Sequence, residues 1–277
     1  MLKQRVITAL CGLPILIAAI WFNKPLPWFT ILVAIWGALA AFEFYGLVTT
    51  TKVPPLTYFG LIWTLLFILS RNSELLSILE PHFDLDLITP ILLTSAVIIS
   101  LIWLLLRPQR GTTAFTSWAW TMAGILYVGW LLSYLVALRG LDAHGYWVFL
   151  ALFTNFGSDT AAFFAGRAWG KRRLAPRISP GKTWEGAIAG VFGAIIVSVG
   201  LATLLSLPIS YGQTVLLGLL VSILGQLGDL AESLFKRNIG VKESGKLIPG
   251  HGGLLDRMDS VVFAGVVVYY YVLFNIA

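Results

Sequence analysis

Nine apolar runs divide this chain, and most are close to the length a helix needs to cross a bilayer. They lie at about Val6 to Phe22, Leu26 to Val48, Leu56 to Ser70, Ile88 to Leu106, Phe115 to Leu138, Gly145 to Gly166, Thr183 to Leu207, Gln213 to Phe235 and Ser260 to Phe274. One crossing takes about 20 apolar residues, so nine of them occupy most of the 277 residues and leave only short loops. The pattern predicts an all-α polytopic integral membrane protein with about nine transmembrane helices and no separate soluble domain. Composition agrees, since charged residues make up only 12% of the chain, about half the share of a soluble domain. The opening MLKQR and its apolar run resemble a signal peptide, but no convincing cleavage site follows, and the run is read as the first span. Cys11, the single cysteine, lies inside that run, so neither a disulfide framework nor a thiolate metal cluster is expected.

The net charge of +6 could signal nucleic acid, anionic lipid or cytoplasmic loops. Its placement decides. With all nine runs spanning and the N-terminus cytoplasmic, only Lys24, Arg71 and Arg139 of the 19 Lys and Arg residues fall outside, a strong positive-inside bias. The third run is short and follows Pro54 and Pro55, yet dropping it would put Arg107, Arg110 and the basic 171–182 segment outside. The outer loops instead carry Glu74, Glu80, Asp84, Asp86 and Asp142, and the C-terminus is then outside as well. Residues 1–144 read as a scaffold of membrane helices with lipid contacts. Residues 145–277 read as the catalytic region, with cytoplasmic loops 167–182 and 236–257. No nucleic-acid partner is expected, and the location implied is the cell membrane with the site facing the cytoplasm.

Before residue 150 the sole acid inside an apolar run is Glu43. In the eighth run Asp229, Glu232, Ser233 and Lys236 fall at i, i+3, i+4 and i+7, on one face of a helix near its cytoplasmic end. Acids in membrane helices are costly and point to function. Glu232 and Lys236 could instead form a structural ion pair, a reading that does not reach Asp229, which has no basic residue one turn away. The sixth run is interrupted by Asn155, Ser158, Asp159 and Thr160; these either join helices or line a polar cavity. Two loops share that side. GKRRLAPRISPGKTWEG (170–186) has a turn expected at Ser179 to Lys182 before a helix capped near Thr183, whose N-terminus suits an anion. KRNIGVKESGKLIPGHGGLLDRMD (236–259) is rich in Gly and Lys and ends in Asp256, Arg257 and Asp259. Topology or lipid affinity explains the charge of these loops but not HGG flanked by carboxylates.

Carboxylates at Asp159, Asp229, Asp256 and Asp259 beside many cations form the hard-oxygen set that Mg²⁺ shares with phosphates. Phosphoryl or nucleotidyl transfer onto a membrane-resident acceptor is the chemistry implied. No Walker P-loop, HExxH or nucleophile elbow occurs. Of the three histidines only His251 lies near the acids, as a phosphate or leaving-group contact or as a turn residue.

The stretch Ser233 to Asp259 resembles the signature of the phosphatidate cytidylyltransferases, the CDP-diacylglycerol synthases. It matches at Ser233, Lys236, Arg237, Lys242, Gly245, Pro249, His251, Gly252, Gly253, Asp256, Arg257 and Asp259. Glu243 stands where the family usually has Asp, which weakens a tight metal-ligand role there. The likeness extends upstream through Asp159 and ISPGKTWEG (178–186), while the N-terminal half matches only in hydropathy. The resemblance implies an all-helical membrane enzyme, commonly a homodimer, that makes CDP-diacylglycerol and pyrophosphate from CTP and phosphatidic acid with Mg²⁺. It also implies that Asp229 and Asp256 hold a paired cation site, Mg²⁺ with K⁺.

On this reading Asp229 and Asp256 bind metal, with Asp159 or Asp259 as a further ligand. Lys236, Arg237, Lys242, Lys246 and Arg257 clamp phosphates beside Ser233, Gly252 and Gly253, and Lys182 with Ser179 closes the site. A phosphate monoester is already largely ionised at neutral pH, its second pKa being about 6, so no general base is required. Rival readings are an anion transporter, disfavoured by the lack of repeats and of a midplane site, and a CTP-using relative acting on another lipid, such as a CDP-archaeol synthase or a polyprenol kinase.

Overall fold

The computed structural model describes residues 2–51, 53–79, 85–106, 113–245 and 252–276, side chains excepted at 2–11, 78, 79, 85 and 86. Its chain divides into two compact units, Met1–Gly140 with Glu243–Leu255, and Leu141–Lys242 with Asp256–Ala277. Residues 243–255 group with the first unit and the rest of 145–276 with the second.

The first unit contains α1 (Leu2–Trp21), α2 (Trp28–Thr49), α3 (Thr57–Leu69), α4 (Ser73–Leu79), α5 (Leu85–Leu106), α6 (Thr113–Gly124) and α7 (Leu131–Arg139). A π-helical turn at Ile125–Trp130 joins α6 to α7, so the fifth apolar run is one helix with an irregular middle. Helix α4 occupies part of what the hydropathy pattern leaves as an outer loop; the Asn72 side chain caps it by accepting from Leu75 N at 2.9 Å. The short third run is α3, and α6 fixes where it begins. Leu56 N donates to Thr121 Oγ1 at 2.8 Å, and Ser117 Oγ donates to the Pro54 carbonyl. Tyr45 of α2 is fully buried, lies against Gly60 of α3 and Gly124 of α6, and donates its hydroxyl to the Thr121 carbonyl at 2.9 Å. Arg139 is buried rather than exposed in an outer loop. Its Nε donates to the Ile20 carbonyl at 2.7 Å, satisfying an orphan acceptor near the end of α1.

The second unit is a ring of four helices, α8 (Tyr146–Trp169), α9 (Trp184–Leu204), α10 (Tyr211–Ile239) and α11 (Asp259–Asn275), each packed on the next and α11 back on α8. Close approach of α8 and α9 depends on small residues. A Cβ at Gly193 would lie 2.5 Å from that of Ala161 and 2.9 Å from the Gly157 carbonyl oxygen. Between α8 and α9 the chain forms the antiparallel hairpin β1 (Arg173–Ala175) and β2 (Ser179–Thr183). This corrects two expectations. The 167–182 segment is not an open loop, since α8 runs to Trp169, and Ser179 to Lys182 is strand, not turn. The turn sits at 176–178, where Pro176 breaks β1 and Ile178 N donates to the Ala175 carbonyl at 3.2 Å. The expected cap is present, with Gly186 N donating to Thr183 Oγ1 at 3.2 Å.

Helix α10 also outruns its apolar stretch. Neither Gly nor Pro occurs after Gly228 until Gly240, which ends the helix at φ +83° with its N–H on the Arg237 and Lys236 carbonyls. Lys236 and Arg237 thus belong to the last turn of a helix rather than to the 236–257 loop. Among the described residues six helical stretches are long and apolar enough to cross a membrane: Trp28–Thr49, Leu87–Leu106, Thr113–Arg139, Tyr146–Trp169, Trp184–Leu204 and Tyr211–Ile239. Three shorter apolar helices, Gly12–Trp21, Thr57–Leu69 and Asp259–Asn275, accompany them. The chain is an all-α membrane protein whose only strands among the described residues are β1 and β2.

Candidate active site

In the second unit, up-and-down connectivity brings the C-terminal ends of α8 and α10 and the N-terminal ends of α9 and α11 to one end of the ring. Arg237 of α10 pins the hairpin there. Its Nε donates to the Ile178 carbonyl at 3.1 Å and its Nη1 to the Val241 carbonyl at 3.0 Å. The root of the hairpin is held by Glu185, whose carboxylate accepts from Lys171 N at 3.1 Å and Arg172 N at 3.2 Å. Both contacts fix β2, which carries Lys182.

Two lysines, in three ion pairs among the described residues, organise this end, and they differ in access to solvent. Lys182 Nζ lies 2.7 Å from Asp229 Oδ2, with the side chains 23% and 35% exposed. Lys236 Nζ lies 2.6 Å from both Glu232 Oε2 and Asp256 Oδ1, and here the carboxylates are 0% and 9% exposed. One lysine therefore pairs with two enclosed acids. The helix-face spacing suggests the Glu232–Lys236 half of this cluster; Asp256 joins from beyond the loop. Asp229 does have a basic partner, supplied by β2 and not by its own helix. Ser233 Oγ lies 3.4 Å from Asp229 Oδ1, a long contact on the same face.

A second polar group gathers around the start of α11. Asn155 Nδ2 donates to Ser260 Oγ at 2.9 Å and lies 3.4 Å from Asp159 Oδ2, and Ser260 Oγ is itself 3.4 Å from that oxygen. Asp259 Oδ1 accepts from Ser260 N at 2.7 Å. Asp159 and Asp259 are close enough to Asp229 and to each other for their charges to interact, with Lys182 and Arg257 offsetting Asp159 and Lys236 offsetting Asp259. Below these acids Ser158, Ser222 and Gln226 form a buried network. The Ser158 and Ser222 hydroxyls are 2.7 Å apart, and Gln226 Nε2 donates to Ser222 Oγ at 2.9 Å. Asn155 and Ser158 thus join helices, while Asp159 is exposed.

The donor set fits a hard divalent cation. Among the described residues no three acidic, His or Cys side chains close into a ready cage. Mg²⁺ needs none, because it is commonly held by one or two carboxylates plus water and substrate phosphate. Asp229, 35% exposed and flanked by Asp159 and Asp259, could supply such a partial shell, with the Lys182 ammonium beside it.

The remaining sequence-predicted residues fall as follows. Ser179 is partly buried on β2, while Lys242 and Arg257 are exposed. Lys246 and His251 lie outside the described residues. Gly252 and Gly253 belong to the first unit, where the residue that the sequence reading leaves without a role is found. Glu43 of α2 is 7% exposed, and its Oε2 accepts from Leu255 N at 2.9 Å and Ser244 Oγ at 3.2 Å. Its only sequence signal is that it is a lone acid in an apolar run. Ser260 is also missed; its adjacency to Asp259 is the one available cue.

The sequence profile of the cytidylyltransferase family matches residues 3–275. A phosphatidate cytidylyltransferase of Bacillus subtilis is 34% identical over 271 residues, covering 97% of each chain. One from Synechocystis is 34% identical over 300 residues, covering 97% of this chain and 96% of the relative. One from Brucella suis is 46% identical over 151 residues, 54% of this chain and 56% of the relative.

Proposed function

Belonging as it does to the cytidylyltransferase family, this chain is a nucleotidyltransferase, and we propose that it moves CMP from CTP to the phosphate of phosphatidate in phospholipid biosynthesis. The observation that carries this reading is the partly exposed Lys182–Asp229 pair beside Asp159 and Asp259, an open acid-and-cation cluster at one end of a membrane-spanning ring. A phosphate oxygen of the lipid attacks the α-phosphorus of CTP, the bond from that phosphorus to the bridging oxygen breaks, and pyrophosphate leaves. Two anions must be aligned and their charge neutralised. Lys182, already holding a carboxylate oxygen in a partly exposed pair, can exchange it for a phosphate oxygen, Lys236 adds its charge from the enclosed pair behind, and Arg257 and Lys242 are exposed. Arg237 serves by holding the hairpin that presents Lys182 and Ser179.

Asp229 and Asp256 would hold Mg²⁺, with Asp159 or Asp259 beside it and K⁺ as the second cation; bound there, the metal polarises phosphate oxygens and stabilises the leaving pyrophosphate. Nine spans, a cytoplasmic N-terminus, an outer C-terminus, a site facing the cytoplasm and a homodimer complete the proposal. The acyl chains then stay in the bilayer while only the headgroup reaches the acids.

The test uses protein purified in detergent, labelled CTP and a panel of lipid phosphates. CMP on phosphatidate with release of pyrophosphate is the expected result, abolished by EDTA and restored by Mg²⁺. Transfer of a single phosphoryl group with release of CDP would overturn the reading in favour of a kinase. Asp229→Asn or Asp256→Asn at near wild-type rate would overturn the metal assignment.

A further inference from the structure

A carboxylate enclosed in a membrane helix is expensive unless several donors satisfy it. Glu43 sits within Trp28–Thr49, is 7% exposed, and spends one oxygen on two donors separated by eleven positions of sequence. Ser244 Oγ and Leu255 N stand at the two ends of a segment that contains Gly245, Gly250, Gly252 and Gly253, and both donate to Glu43 Oε2. That oxygen therefore holds residues 244 and 255 together, two points of the chain that would otherwise be free to separate.

Two of the glycines are shaped by this carboxylate. A Cβ at Gly253 would lie 2.6 Å from Glu43 Oε2 and 2.7 Å from Gly245 N, and one at Gly245 would lie 2.8 Å from Glu43 Cδ. The two limbs touch each other and the acid, with no room for a methyl group. Gly252 stands at φ +83°, a left-handed conformation that suits glycine. Sequence reasoning gives these glycines to phosphate approach; packing about Glu43 is a separate demand that accounts for Gly245 and Gly253 without any ligand.

We propose that Glu43 is a positioning residue for the reaction: it clamps both ends of the 244–255 segment and so sets the path of the chain into Asp256, one peptide bond beyond Leu255. The inference rests on the activity proposed above for its kinetic consequence, but not for its structural one. It assigns a specific task to the N-terminal helices, whose sequence otherwise reads only as apolar scaffold. Glu43 touches no substrate in this role and acts only through the backbone it holds.

The experiment has two arms. Without substrate, limited trypsin digestion of the detergent-purified full chain is followed at the Lys242–Glu243 bond. Cleavage should accelerate in Glu43→Ala and in Gly253→Ala, which drives a methyl into the same oxygen, while Glu43→Gln, able to accept both hydrogen bonds, stays near wild type. With CTP and phosphatidate, Glu43→Ala should lose about 100-fold in kcat/KM, the scale of a small misplacement of reacting groups, with Glu43→Gln restoring most of it. Equal cleavage of Glu43→Ala and wild type overturns the proposal. If Glu43→Ala does not fold, Gly253→Ala and Ser244→Ala decide, and wild-type behaviour of both overturns it. A wild-type protein that transfers no CMP defeats the activity reading and leaves the digestion arm standing.

Discussion

Lys182 and Lys236 each meet carboxylates at hydrogen-bond distance, yet physics assigns them different work. Lys236 is enclosed between Glu232 and Asp256, all three side chains 11% exposed or less. Removing it leaves two acids without their cation, and breaking a buried pair in this way costs about 3–5 kcal/mol. Lys236→Met should therefore lower the thermal unfolding midpoint in detergent as well as abolish transfer; an unchanged midpoint would show that the acids find another partner. Asp229, 35% exposed, contributes little to stability through its pair, because water screens it and such pairs are worth about 0–1 kcal/mol. Asp229→Asn is expected to keep the midpoint near wild type while kcat falls at least 100-fold, about the size of effect a lost electrostatic contact in a transition state produces. A fall in both would make Asp229 structural.

At the scale of elements, the hairpin is the least expected feature and the one that delivers Lys182. Its root depends on Glu185, which takes the backbone N–H groups of Lys171 and Arg172. Glu185→Ala should loosen β1 and β2 without disturbing the four-helix ring, which predicts a raised KM for CTP with the unfolding midpoint nearly unchanged. A wild-type KM would mean that Arg237 alone holds the hairpin. Helix packing makes the opposite prediction at Gly193. There a larger side chain meets the backbone of α8 rather than a movable side chain. Gly193→Val should yield protein that elutes as aggregate in size-exclusion chromatography, whereas Gly200→Ala, open within 4 Å, should elute normally. Periodicity revealed the helices, but the hairpin escaped it. Five basic residues and two prolines in 170–186 read as a loop, and only the partners of its backbone make it a sheet.

For the whole molecule, the charge asymmetry among loops predicts that Arg177 and His144 lie on opposite sides of the membrane. With Cys11→Ser as background, Arg177→Cys should react with an impermeant maleimide only in inverted vesicles and His144→Cys only in right-side-out ones. Labelling of both from one side would refute the nine-span topology. The sequence alone determines where the apolar helices fall, because bilayer thickness and unsatisfied backbone groups leave a long apolar run few alternatives. It also determines the family, since the spacing of Ser233 to Asp259 survives in the linear order. What tertiary structure decides is the pairing of charges across separate elements. Asp229 looks unpartnered along its own helix and meets Lys182 from a strand 47 positions earlier. Glu43 looks like an isolated polar intrusion and holds a segment some 200 positions later. Helical spacing reports neighbours only within a turn or two, whereas a buried charge is satisfied by whichever donors the fold brings to it, and their distance along the chain leaves no local trace.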